Sequence, residues 1–279
     1  MGIVPRRFFE SLSVAILGYL GFSIVRVQTA RKAILFDKLN KALDLWSFAP
    51  PIVAYYIFQG IKRSNSAQQQ DLLAEFISKF SLNSGQKWFV EFGAAAWKEG
   101  NNTFLLETNS WKGILAEPSK YWQKELLRNR VCQIDYRCVS TTSGEYVSFF
   151  ESVNPFLSTQ SNLIDEDFNR SRRKLKSSYL VKTVSLEHLL VSHDSPKFID
   201  YMSIDTEGNE FDILESFFPN SNFSIGFLTV EHNYTHNKNK IYDLLTNFGY
   251  VRILEAVSKH EDWYLLPSAY KPELLEVIV

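Results

Sequence analysis

Residues 88–96 have the sequence WFVEFGAAA, an apolar run of five residues followed by a glycine and three alanines. A short apolar run that ends in small residues is typical of a buried strand whose following loop lets the backbone approach a ligand. From residue 71 onward, other short apolar runs alternate with segments of helical periodicity. This alternation predicts an α/β domain built on a mostly parallel sheet.

The same patterns predict the individual elements of this domain. Strands are expected over residues 88–92, 113–117, 133–139, 146–151, 181–184, 198–204, 225–231, 250–254 and 263–266. Helices are expected over residues 73–80, 121–130, 186–190, 211–218 and 241–248. The last two strands are close enough in sequence to form a terminal hairpin.

The composition indicates an ordinary globular protein, with 45% hydrophobic, 15% aromatic and 22% charged residues. Thirty basic residues against 31 acidic ones give a net charge of −1, so we expect no nucleic-acid partner. Cys132, at the start of the predicted strand 133–139, and Cys138, within it, have an even spacing that points both to the same side, which disfavours a disulfide between them. We therefore expect reduced cysteines and a cytoplasmic protein, and no spacing indicates a zinc site.

The N-terminal part has a different character. Residues 11–25 are uncharged and apolar, but they are fewer than the ~20 residues that a membrane-spanning helix needs, and no cleavage site typical of a signal peptide follows. The spacing of Leu39, Ala42 and Trp46 predicts an amphipathic helix, and the polar residues 62–70 predict a linker.

Two units follow from this difference. We expect residues 1–70 to form a helical extension and residues 71–279 to form the α/β domain. The extension would serve as a cap on the domain, as a contact between two copies in a homodimer, or as a peripheral membrane contact at the inner membrane face.

Polar residues at the ends of the predicted strands indicate a nucleoside site. Gly93 ends the first strand, and Glu117 ends the second about two dozen residues later, the offset at which an acidic residue binds ribose hydroxyls. A phosphate-binding G-x-G-x-x-G motif is absent, since Trp97 follows the alanines, which disfavours a nicotinamide-dependent oxidoreductase. S-adenosylmethionine, a cationic nucleoside without phosphates, suits an acidic loop.

Several blocks of residues resemble the FkbM family of S-adenosylmethionine-dependent methyltransferases. They are EFGA at residues 91–94, NNT at 101–103, LE at 106–107, WKGILAEP at 111–118, SIDTEGNE at 203–210 and VE at 230–231. The resemblance covers roughly residues 87–267 and implies the class I methyltransferase fold, a Rossmann-like, seven-stranded, mostly parallel sheet. It also implies S-adenosylmethionine as the cofactor.

The resemblance assigns roles to residues of this chain. The implied cofactor-binding residues are Glu91, Gly93 and Ala94 on the methionine side, Glu117 at the ribose, Val139 and Ser140 at the adenine, and Asp205 and Glu207 beside the reacting methyl.

One departure from the family affects this site. Where the family commonly has an acidic residue and a glycine, this chain has Ala96 and Trp97. The departure indicates either an altered loop, with Gly100 supplying flexibility, or a protein that no longer binds the cofactor.

Asp205, Glu231 and His232 are the candidate catalytic residues, because they end successive predicted strands. His232 would act as a general base, and the alternative is a structural histidine bonded to backbone. Asp205 would otherwise cap the following helix. We expect no metal ion, and the alternative is a divalent cation held by these three residues.

Arg170, Arg172 and Arg173 lie in a basic segment between two predicted strands, where a substrate loop would be inserted. We expect them to bind the acceptor, and the alternative is an exposed basic surface.

The sequence therefore predicts an O-methyltransferase whose substrate is a hydroxyl of a small molecule or glycan, with a sugar of a glycan or glycolipid as the first candidate. This choice of acceptor rests on the family resemblance. The alternative is a catalytically inactive protein of the same fold that serves as a glycan-binding or membrane-docked assembly module.

Overall fold

A computed structural model describes residues 30–98, 100–165 and 169–278. The helices are α1 Ala30–Trp46, α2 Pro51–Gly60, α3 Gln70–Ser78, α4 Phe104–Thr108, α5 Lys120–Asn129, α6 Leu186–Ser192, α7 Glu210–Phe217, α8 Asn237–Asn247, α9 Glu255–Ser258 and α10 Pro272–Ile278. The strands are β1 Trp88–Phe92, β2 Lys112–Ala116, β3 Gln133–Asp135, β4 Cys138–Ser140, β5 Tyr146–Ser152, β6 Thr159–Gln160, β7 Leu175–Ser185, β8 Phe198–Ile204, β9 Ser224–Glu231, β10 Val251–Ile253 and β11 Glu261–Leu265.

The main sheet has seven strands in the order β10-β11-β9-β8-β1-β2-β3. Strands β3, β2, β1, β8 and β9 are parallel neighbours, and β11 runs antiparallel to both β9 and β10. The predicted seven-stranded, mostly parallel, Rossmann-like sheet of a class I methyltransferase is confirmed, and so is the terminal hairpin.

Helices cover both faces of this sheet, because the central strands are apolar on both sides. All five residues of β1 are buried. Phe89 packs in the cluster that includes α1 to α5, whereas Val90 and Phe92 pack in the cluster that includes α6 to α8. Alternate strand residues point to opposite faces, so a continuous apolar run fits a strand buried between two helical layers.

The helices before residue 71 pack on the main sheet. The predicted amphipathic helix is α1, and its Trp46 stacks on Trp263 of β11 with ring centroids 5.6 Å apart. The indole nitrogen of Trp46 donates a hydrogen bond to Gln69 at 2.7 Å. These contacts place α1 in the hydrophobic core of the main sheet.

Residues 62–70 form a folded polar turn. The carboxylate of Asp71 accepts hydrogen bonds from the hydroxyls of Ser64 and Ser66 and from the backbone N–H of Asn65. Polar residues of this turn are buried because one carboxylate satisfies several of their donors.

The apolar residues 11–25, with their predicted membrane contact, lie outside the described residues. Within the described ranges, no helix combines the length and apolar character needed to cross a membrane.

A second sheet, in the order β4-β7-β5-β6, is inserted between β3 and β8. It corrects the prediction of one strand over residues 133–139, which the structure divides between the two sheets. The cause is Asp135, whose carboxylate accepts the backbone N–H of Arg137 at 2.8 Å and turns the chain. Cys132 and Cys138 therefore do not share a strand, and both are free thiols.

Candidate functional site

A cavity of about 200 Å³ opens at the carboxyl ends of β1, β2 and β8, where it meets the inserted sheet. Gly93, Glu117 and Asp205 line it from the main sheet, and Val139 and Phe149 line it from the inserted sheet. Carboxyl ends of parallel strands are where ligands bind in open α/β sheets. The cavity therefore brings together residues that the sequence placed at three separate strand ends.

Gly93 forms the floor of the cavity at the end of β1. Its φ of +73° lies in the left-handed region, and a Cβ atom there would overlap the carbonyl oxygen of Asp205. The backbone N–H of Asp205 in turn donates to Phe92 at 3.1 Å. Only glycine allows this close approach of the two strand ends.

Glu117 closes the opposite side of the floor. One carboxylate oxygen accepts the backbone N–H of Ala95 and the other accepts that of Ser119, both at 2.7 Å. Burial raises the pKa of Glu117 to about 7, against the lowering effect of these two N–H groups. The bond to Ala95 ties the loop after β1 to the end of β2.

Glu91 lies outside the cavity lining and supports the loop after β1 instead. Its carboxylate accepts hydrogen bonds from the backbone N–H of Asn102 and the hydroxyl of Thr103. Burial raises the pKa of Glu91 to about 7, and the nearby Arg130 opposes that shift. Ala94 is also buried away from the cavity, and its carbonyl accepts a bond from Asn101.

Arg130 is a supporting residue that the sequence analysis missed. Its guanidinium is buried and donates to Glu107 at 2.8 Å, to Asn101 at 2.9 Å and to Thr103 at 3.0 Å. In the sequence Arg130 is a single arginine at the end of an amphipathic helix. An arginine in such a position is usually exposed, so nothing in the sequence indicated its burial. Arg130 fixes the segment that holds Glu91 and thereby the loop after β1.

Ala96 and Trp97, which replace the acidic residue and glycine common in the family, do not fill the cavity. Trp97 packs edge-on against Phe104, with ring centroids 5.4 Å apart, and the cavity lining does not include it. Ala95 lines the cavity and has a φ of +47°, so an alanine takes the left-handed conformation that glycine favours. Gly100, at a φ of +79°, lines the same wall.

Of the two residues predicted to bind adenine, the structure places only one in the cavity lining. Val139 lines the cavity, whereas Ser140 pairs with Ser185 in the inserted sheet and does not line it. Phe149, Phe156 and Leu157 complete this wall, and the sequence analysis did not select them. No local pattern marks these residues, because their position in the lining depends on how the inserted sheet and the main sheet meet at the cavity.

Three carboxylates meet beside the cavity, at the ends of β8 and β9. Asp205, Glu207 and Glu231 each offer an oxygen within 4.8 Å of the others. Burial, followed by the charges of Asp205 and Glu207, raises the pKa of Glu231 well above its usual value. Asp205 and Glu207 line the larger cavity, and Glu231 lines a smaller adjacent one.

His232 does not converge with Asp205 and Glu231, which corrects the predicted cation set. His232 lines the smaller cavity together with Glu231, but its Nε2 atom lies 3.6 Å from Oδ1 of Asp262, and the cluster of close carboxylate oxygens includes Glu207 in its place. Its Nδ1 accepts the backbone N–H of Tyr234 at 3.1 Å. This arrangement matches the structural alternative for His232 rather than a base that faces a substrate.

The three arginines of the basic segment differ in their burial. Arg173 is buried and donates to Glu207 at 2.7 Å and to the carbonyls of Leu157 and Ile164. It therefore orients a carboxylate of the site rather than facing an acceptor. Arg170 and Arg172 are exposed, and Arg172 donates to Asn169 at 3.0 Å.

Two solved structures show low similarity to this chain. The crystal structure of a fibrillarin/Nop5p complex matches at 11% identity and a TM-score of 0.34, covering 71% of this chain and 79% of that one. The CurJ carbon methyltransferase matches at 10% identity and a TM-score of 0.33, covering 95% and 72%. At these values neither structure informs the function of this chain, and no curated protein matches it significantly.

A family model gives the decisive comparison. The methyltransferase FkbM domain matches residues 91–252, which is more than half of the chain and includes every residue that lines the cavity. This chain therefore belongs to the FkbM methyltransferase family.

Proposed function

We propose that this chain transfers the methyl group of S-adenosylmethionine to a hydroxyl oxygen, with a sugar of a glycan or glycolipid as the first candidate acceptor. The observation that carries the proposal is the pairing of Gly93 and Glu117 across one cavity floor, joined through the Ala95 hydrogen bond. The family supports methyl transfer, and this pairing supports the nucleoside.

The residues present suit S-adenosylmethionine. Each oxygen of Glu117 bonds one backbone N–H and keeps a further lone pair for a ribose hydroxyl. Val139 and Phe149 offer an apolar wall for the adenine. Gly93 lines the cavity where the methionine part would lie, and the carboxylate of Asp205 suits the cationic groups of that part.

S-adenosylmethionine supplies an electrophilic methyl group when it is bound. Residues of this chain would align the acceptor hydroxyl with that group and exclude water, which supplies most of the rate in such a displacement. Asp205 lines the larger cavity and is our candidate to accept the hydroxyl proton, whereas His232 lies on the smaller cavity with its Nδ1 bonded to backbone.

Aromatic rings near the cavity support a sugar acceptor. Phe156 lines the cavity and is 48% exposed, and its ring packs against Trp122 with centroids 5.0 Å apart. Tyr121, also 48% exposed, packs edge-on against Trp122. Flat apolar rings of this kind offer a surface on which the face of a sugar ring packs.

Titration calorimetry of the full chain with S-adenosylhomocysteine tests the cofactor site. We expect micromolar binding that Glu117→Ala abolishes and that the exposed control Glu125→Ala leaves unchanged. Equal binding by both variants would contradict the site. If the folded wild type does not bind S-adenosylhomocysteine, the result would favour a catalytically inactive protein of the same fold. If it binds, transfer of a radiolabelled methyl group to a panel of sugars is measured next.

A further inference from the structure

The carboxylates of Asp205, Glu207 and Glu231 form a cluster between the two cavities, which we call the acidic cluster. Asp205 follows β8 directly, and Glu231 is the last residue of β9. These strands are parallel neighbours, so their carboxyl ends meet at one edge of the sheet. The cluster is therefore a direct consequence of the strand order.

Arg173 donates hydrogen bonds to this cluster. It donates to one oxygen of Glu207 at 2.7 Å, and Asn169 donates to the same oxygen at 3.2 Å. These bonds fix the direction of the Glu207 carboxylate.

Glu231 gives an independent indication of a ligand. Its side chain is buried, with an exposed fraction of 7%, and its Oε2 atom has no hydrogen-bond partner among the described residues. Buried polar atoms are rarely left without a partner, and a bound ion is one of the explanations for such an atom.

We propose that Asp205, Glu207 and Glu231 bind a divalent cation that prefers oxygen ligands, such as Mg²⁺ or Mn²⁺. Carboxylates are the protein ligands that these ions select, and both usually keep positions open for other oxygens. The sequence-based alternative for a cation site had His232 as the third ligand, and here the third ligand is Glu207. The cation lies at the wall of the larger cavity because two of its three ligands line that cavity.

The role of this cation rests on the proposed function. A divalent cation at the cavity wall would bind the hydroxyl oxygen of the acceptor and lower its pKa. The hydroxyl proton then passes to the second carboxylate oxygen of Asp205, whose first oxygen holds the cation, as the new carbon–oxygen bond forms and the carbon–sulfur bond breaks. The cation also holds the oxygen in place for the displacement.

Titration of the full chain with MnCl₂ tests the site, with the free-ion signal followed by electron paramagnetic resonance. We expect one ion per chain and at least a tenfold loss of affinity in Glu231→Gln and in Asp205→Asn. Glu261→Gln is the matched control, because Glu261 is a buried carboxylate in register with Glu231 on the adjacent strand and is bonded to Gln70 and Trp263. It should bind Mn²⁺ within threefold of the wild type.

Thermal unfolding gives a second readout. Mn²⁺ should raise the Tm of the wild type and of Glu261→Gln but not of Glu231→Gln, because an ion stabilises only the state that binds it. No Mn²⁺ binding at millimolar concentration, or equal binding by the wild type and Glu231→Gln, would overturn the site. Binding of S-adenosylhomocysteine without Mn²⁺ binding would refute the cation alone, whereas Mn²⁺ binding without the nucleoside would refute the proposed function.

Discussion

The carbonyl oxygen of Asp205 occupies the space in which a side chain on Gly93 would begin. This contact brings the end of β8 against the end of β1 and sets the floor of the cavity. It places the start of the loop after β1 directly against the backbone of Asp205 in the acidic cluster.

Replacement of Gly93 by alanine should therefore destabilise the protein by more than about 3 kcal/mol, since the backbone must shift to admit the methyl group. Urea unfolding measures this change. Gly144→Ala is the control, because Gly144 also has a positive φ, +91°, but its added Cβ would have nothing within 4 Å. We expect Gly144→Ala to cost only the conformational strain, about 1–2 kcal/mol. Equal losses of unfolding free energy in Gly93→Ala and Gly144→Ala would show that the contact with Asp205 does not contribute to stability.

Affinity for S-adenosylhomocysteine should fall as the pH drops below about 7. Burial raises the pKa of Glu117 to about 7, and the ionised carboxylate is the form that accepts hydrogen bonds from ribose hydroxyls. Below that pH the group gains a proton and loses acceptor capacity. Calorimetry from pH 5.5 to 8.5 measures how the affinity for S-adenosylhomocysteine depends on pH. Glu117→Gln should bind more weakly, and its affinity should change less with pH. A wild-type profile as flat as that of the variant would argue against ribose binding by Glu117.

The buried ion pair of Arg130 and Glu107 should be essential for stability. Arg130→Met would leave Glu107 buried without its cation, and it would remove the bonds that hold Asn101 and Thr103. Loss of one partner of a buried pair typically costs about 3–5 kcal/mol.

Arg63→Met provides the comparison for that variant. Arg63 pairs with Glu75 at 2.9 Å, but its side chain is 47% exposed. Exposed pairs contribute about 0–1 kcal/mol, so we expect little change in urea unfolding. If Arg130→Met were as stable as Arg63→Met, the support of the loop after β1 would have to come from other contacts.

The strands of the main sheet were predictable because each is an apolar run with a clear end. Gly93, Glu117 and Asp205 follow such runs, and parallel strands must bring their carboxyl ends together. The break after β3 was not predictable from periodicity, since it depends on a hydrogen bond from the backbone N–H of Arg137 to the carboxylate of Asp135.

The orientation of single side chains was harder to predict. Arg173 lies in a basic segment that is otherwise exposed, and its burial depends on a partner, Glu207, that is distant in sequence. Glu231 lies close to Asp205 and Glu207, whereas His232 bonds to backbone and lies beside Asp262. Their adjacency in sequence nevertheless suggested a shared role.

The stack of Trp46 on Trp263 predicts that the helices before residue 71 stabilise the main sheet. Trp46 is fully buried, and its indole nitrogen bonds to Gln69. Trp46→Ala should therefore cost about 3–5 kcal/mol, which is typical of a large aromatic residue removed from a core. Phe48→Ala is the matched control, because Phe48 lies two residues away but is 71% exposed, and its loss should change stability by less than about 0.5 kcal/mol. Unfolding should follow one transition when it is monitored by tryptophan fluorescence and by circular dichroism. Two separate transitions, with Trp46→Ala affecting only the first, would show that α1 folds independently of the methyltransferase sheet.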